Sequence, residues 1–128
     1  VTVSTDVFIQ SFININTLEI SKLLNDEEYY LNRQKNIFIV YLTECFNGLR
    51  RSGDTKLNVK PGRCTFKDVD VISYTFVGDM TNDYLELNIH AQNGNLTGLT
   101  ECYCFTSGTN GDVKGRRLYI DPKRGSTL

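Results

Sequence analysis

The chain has 128 residues, of which 40% are hydrophobic and 23% charged, with a formal net charge of -1. That length holds one domain, residues 1–128, with its own core and leaves too little for two. The composition excludes a disordered chain, the charge balance excludes a protein whose main task is coating nucleic acid, and no apolar run approaches the roughly 20 residues that span a bilayer.

In chain order, "TDVFIQSFININ" fits a helix capped by Thr5 or Asp6 about as well as an extended segment. "NTLEISKLLND" is the better helix: Asn16 or Thr17 can cap it, Glu19 lies in its first turn, and Leu18, Leu23 and Leu24 share a side. "EEYYLNRQK" has no clear period. "NIFIVYLTECF", from Asn36 to Phe46, is rich in β-branched and aromatic residues and predicts a strand buried on both faces at its start. "NGLRRSGDTKLNVKPG" predicts a turn-rich basic connection. "RCTFKDVDVISYTFV" predicts a long strand whose phase changes at Asp68–Asp70, where a bulge or bend is expected. "GDMTND" is a turn, and "RRLYID" a last strand before a tail.

"YLELNIHAQNGNLTGLTECYCF" is the clearest hairpin, with Asn93-Gly94 as its type I′ turn. A uniform register from that turn sets Ala91 across from Leu96, Leu87 across from Thr100, Glu86 across from Glu101, and Tyr84 across from Tyr103. Leu85, Leu87, Ile89, Cys102 and Cys104 then share the inner face. Glu86, Glu101, Tyr84 and Tyr103 share the outer one. Two carboxylates opposed on a sheet repel, so a basic neighbour, Arg116 or Arg117, is expected beside them. The alternative is that the carboxylates and tyrosines receive an organic cation, which gains both charge pairing and cation–π contact.

Cys45, Cys64, Cys102 and Cys104 are an even set without a C-x-x-C pair, which points away from a zinc ribbon and toward two disulfides in an oxidising compartment. Residues two apart on a strand point the same way, so Cys102 and Cys104 should each pair elsewhere, one with Cys45 and one with Cys64. Asn95 opens a glycosylation sequon, "NLT", which agrees with secretion. His90, the only histidine, is expected on the surface, and no G-x-S-x-G, H-E-x-x-H or P-loop motif occurs.

These features predict an α+β, mostly β domain: a curved antiparallel β-meander, open or closed into a barrel, with a short N-terminal helix and two disulfides. By analogy of architecture alone it compares with the lipocalin barrel, but the G-x-W of that family is absent; the cystatin Q-x-V-x-G is absent too. The expected function is that of a secreted, non-enzymatic binding protein with no cofactor. It would hold a small amphipathic or cationic ligand, or an extracellular protein partner. A protease inhibitor of the cystatin kind and a small hydrolase using Glu86 and Glu101 are the alternatives.

Overall fold

The computed structural model describes residues 2–62, 64, 66–101 and 115–122. Three helices pack on one face of a four-stranded antiparallel sheet. Helix α1 spans Thr5–Ile13, with the Ser4 hydroxyl accepting from Val7 N–H at its N-terminus. Helix α2 spans Thr17–Leu23 and is capped by Asn16, whose side-chain oxygen accepts from Glu19 N–H. A two-stranded hairpin follows, β1 (Tyr29–Tyr30) and β2 (Arg33–Gln34), turned by Leu31 and Asn32 at φ 53° and 60°.

Helix α3, Lys35–Arg51, replaces the strand expected over Asn36–Phe46. Its buried residues are Phe38, Leu42, Phe46 and Leu49, spaced four, four and three apart. That is a helical stripe, and each side chain removed from water contributes about 1.5–3 kcal/mol. The β-branched residues that suggested a strand lie off this stripe: Ile37 and Val40 are exposed, Ile39 and Thr43 half-buried. Burial of one face outweighs their modest strand preference. Phe12 on α1 is the hub of the core, with ring contacts to Phe8, Phe46 and Phe76.

The sheet runs β3 (Leu57–Pro61), β4 (Val71–Gly78), β5 (Tyr84–Gln92), β6 (Asn95–Glu101), each antiparallel to the next. This is the expected meander, with two corrections. Among the described residues the sheet is open, with four strands and no closed barrel. The long strand expected from Arg63 begins only at Val71, because Lys67–Asp70 form the bend; part of the expected basic connection is instead β3.

Cys45 is a free thiol on α3, so the disulfide expected there is absent. The strand-to-helix change explains it: the helical stripe turns Cys45 toward the backbone of Tyr119, whose carbonyl accepts from the thiol at 3.3 Å. Cys102 and Cys104 lie outside the described residues, and so does the pairing expected between one of them and Cys64. Among the described residues no helix is long and apolar enough to cross a membrane.

Asp54, buried between α3 and β3, holds the turn after β4. Its carboxylate accepts from Met80 N–H, Thr81 N–H and the Thr81 hydroxyl at 2.7–2.9 Å. Gly78 is required beside it, since a Cβ there would stand 2.4 Å from Asp54 Oδ2.

Candidate functional site

The β5–β6 hairpin turns at Asn93-Gly94, both with positive φ, as the sequence predicts. Gln92 faces Asn95 and Ala91 faces Leu96. The register then slips: His90 faces Gly98, Ile89 faces Leu99, and Leu87 faces Glu101. Thr97 is the extra residue, a β-bulge. One inserted residue exchanges the two faces of all that follows, so Glu101 does not oppose Glu86. It stands on the inner face beside Leu87, while Glu86 stands on the outer face across from Thr75. Tyr84 pairs with Val77 on that same outer face, and Tyr103 lies outside the described residues. Asn95 is half-buried and bridges to Ser4.

The two glutamates share a function in the fold: both hold residues 115–122, a strap laid along the end of the sheet. The strap meets β5 through a parallel bridge at Tyr84, where the Tyr84 N–H donates to the Arg116 carbonyl and the Leu118 N–H to the Tyr84 carbonyl, at 3.0 and 2.8 Å. The expected last strand is therefore a single bridge. On the outer face, Arg117 reaches Glu86 at 3.3 Å, as the sequence suggested a basic neighbour would. Its guanidinium also lies 4.4 Å from the centre of the Tyr119 ring. On the inner face, Glu101 accepts from the Ile120 and Asp121 N–H groups at 2.7 and 3.2 Å. Asp121 in turn pairs with Arg33 at 3.4 Å, and Asp83 accepts from Arg116 N–H at 2.8 Å.

Burial raises the Glu101 carboxyl above the usual glutamate range; its two backbone donors and Arg117 only partly offset that. The same burial, with the nearby charges of Glu101 and Glu44, pushes the Cys45 thiol up to about 12. Cys45 is therefore a protonated, weakly nucleophilic group at neutral pH.

Between α3 and the strap lies an open cleft of about 240 Å³. Its apolar lining comes from Cys45 and Gly48 on the helix and Leu118 and Ile120 on the strap. Tyr41 and Tyr119 add aromatic surface, and Glu44, Asp83 and Arg116 add charge. An apolar concavity with a few polar groups at its margin is the form of a small-molecule site. Sequence reasoning missed it because reading Asn36–Phe46 as a strand separates Tyr41, Glu44, Cys45 and Gly48. On a helix these residues, three or four apart, share one side. His90 makes an ordinary cross-strand contact, with Nε2 3.1 Å from the Thr100 hydroxyl. Among the described residues no group of three His, Cys, Asp or Glu side chains is arranged to hold a metal ion.

Searches against protein-family models, curated proteins and solved structures find no match to this chain.

Proposed function

We propose that the protein is a non-enzymatic binding protein, secreted, that holds a small amphipathic ligand bearing an amine in the cleft between α3 and the strap. The observation that carries this reading is the cleft itself: about 240 Å³, apolar at Cys45, Leu118 and Ile120, with the carboxylates of Glu44 and Asp83 among its lining. Such a cavity suits one ring or a short chain. An ammonium group near two carboxylates and two tyrosines gains charge pairing and cation–π contact. Glu86 and Glu101 support the site from behind by fixing the strap, and they lie on opposite faces of the sheet, which argues against a hydrolase acting through that pair.

The test is calorimetry with benzylamine and a long-chain alkylammonium as probes and benzyl alcohol as the neutral comparator. The amines should bind about tenfold more tightly than the alcohol. Gly48→Leu, at a half-buried helix position where an added Cβ meets only Arg51 at 3.9 Å, puts a side chain into the cleft and should abolish binding with the fold intact. Failure of all three probes, or binding that survives Gly48→Leu, overturns the reading.

A further inference from the structure

Asp83 and Arg116 both line the cleft between α3 and the strap, and they are joined there. The Arg116 N–H donates to Asp83 Oδ1 at 2.8 Å, and the Arg116 carbonyl accepts from the Tyr84 N–H at 3.0 Å. Asp83 is pinned in turn. Its N–H donates to the Thr81 hydroxyl at 3.0 Å, and its carbonyl accepts from the Gly78 N–H at 2.8 Å. A carboxylate and a guanidinium are thus rooted side by side on backbone that is held on either side of each. Both keep binding capacity. Asp83 uses only Oδ1 on that backbone bond, which leaves Oδ2 able to accept. Arg117 is paired with Glu86, and Arg33 with Asp121. Arg116 is exposed, and among the described residues no carboxylate pairs with its guanidinium.

Resting on the amine-binding reading above, we infer that the ligand of the cleft is a free α-amino acid with a large apolar side chain. Its ammonium donates to Asp83, with Glu44 on α3 adding negative charge. Its carboxylate takes the Arg116 guanidinium, a planar fork that matches two carboxylate oxygens. Its side chain covers the apolar surface of Cys45, Leu118 and Ile120. Charge selects this class over its neighbours. A plain amine at Asp83 meets Arg116 as a like charge, and a carboxylate on the ligand turns that repulsion into a pair. A plain carboxylic acid at Arg116 meets Asp83 and Glu44 in the same way. In an α-amino acid the two charges stand on one carbon, as the two protein groups stand on residues joined by a hydrogen bond. A phosphate group in place of the carboxylate carries close to two negative charges at neutral pH, and the second has no cation to answer it beside Asp83 and Glu44. A space of about 240 Å³ suits one molecule of this size.

Calorimetry on the full chain tests it with L-phenylalanine and three relatives. Phenethylamine lacks the carboxylate, hydrocinnamate lacks the amine, and the aminophosphonate analogue of phenylalanine carries the extra charge. Phenylalanine should bind about tenfold more tightly than each of the three. Arg116→Gln keeps both backbone bonds of that residue and changes only an exposed side chain. It should bring the ratio of phenylalanine to phenethylamine affinity down to about one. Phenethylamine that binds as tightly as phenylalanine overturns the inference and leaves the amine-binding reading standing. An advantage of phenylalanine that survives Arg116→Gln overturns it too, as does an aminophosphonate that binds equally well. Silence of all four compounds overturns the inference and the amine-binding reading together.

Discussion

The two faces of the β5–β6 hairpin solve the problem of a buried carboxylate in different ways. On the outer face Glu86 is fully buried and answered by a full charge, Arg117, itself nearly buried. On the inner face Glu101 sits among Leu87, Cys45 and Ile120 and is answered chiefly by two backbone N–H groups. Glu101, with only partial compensation, holds its proton more tightly than an exposed glutamate does. The comparison teaches that one sheet can hold a buried carboxylate with a full charge on one face and with backbone dipoles on the other.

The most severe way to break that difference is to insert one alanine between Gly98 and Leu99. With the turn and the bulge at Thr97 kept, the added residue shifts all that follows by one position: Leu99 leaves the core and Glu101 confronts Glu86. We expect a loss of more than about 5 kcal/mol, close to a whole domain's stability, seen as absence of a cooperative unfolding transition. Arg117→Met comes next. It removes the guanidinium that faces the buried Glu86 carboxylate and should cost about 3–5 kcal/mol in urea unfolding, most of it regained when Glu86→Leu is added.

The inner face should show in a pH profile. Because Glu101 is raised in the folded state, the fold binds that proton more tightly than the unfolded chain does. Its contribution is full below the ordinary glutamate range and is lost as pH rises through the folded value. Urea midpoints of Glu101→Gln should lack this decline. Asp79 works in the opposite sense. The Thr55 hydroxyl and N–H hold its carboxyl low, so its contribution is lost only as pH falls through that lowered value. The smallest effect belongs to Thr75→Val. That hydroxyl is buried on the outer face with no hydrogen-bond partner among the described residues, so its removal should be neutral or stabilise by up to about 1 kcal/mol in thermal unfolding.

Where local chemistry dictates the backbone, the sequence was legible. Asn93-Gly94 fixed the hairpin, Asn16 the start of α2, and the alternation Leu85, Leu87, Ile89 the inner face of β5. Helix α3 was not legible over eleven residues, because Ile37, Ile39, Val40 and Thr43 satisfy a strand as well as a helix. Extending the window to Leu49 exposes the helical spacing of Phe38, Leu42, Phe46 and Leu49. The hairpin at Leu31-Asn32 gave no signal, since leucine at positive φ is uncommon and only tertiary packing holds it there. The bulge at Thr97 was equally silent. Nothing in "NLTGLTE" requires an extra residue; the register is set by Leu99 reaching the core and Glu101 reaching the strap. The candidate cleft depended on both of these features, which is why Arg117 was foreseen and Tyr41, Cys45 and Gly48 were not.

The start of α1 is fastened to the tip of the last hairpin. The Thr5 N–H and hydroxyl both donate to the Gly94 carbonyl, 89 positions along the chain, and the Leu96 N–H donates to the Val3 carbonyl. Helix α1 precedes the other described elements in the chain, yet it is among the last that can be fully fastened. Phe12 can meet Phe46 and Phe76 earlier, but the seat at Gly94 and Leu96 is complete only once the β5–β6 hairpin has been made, so the interval before that closure is when the chain is most exposed to misassociation.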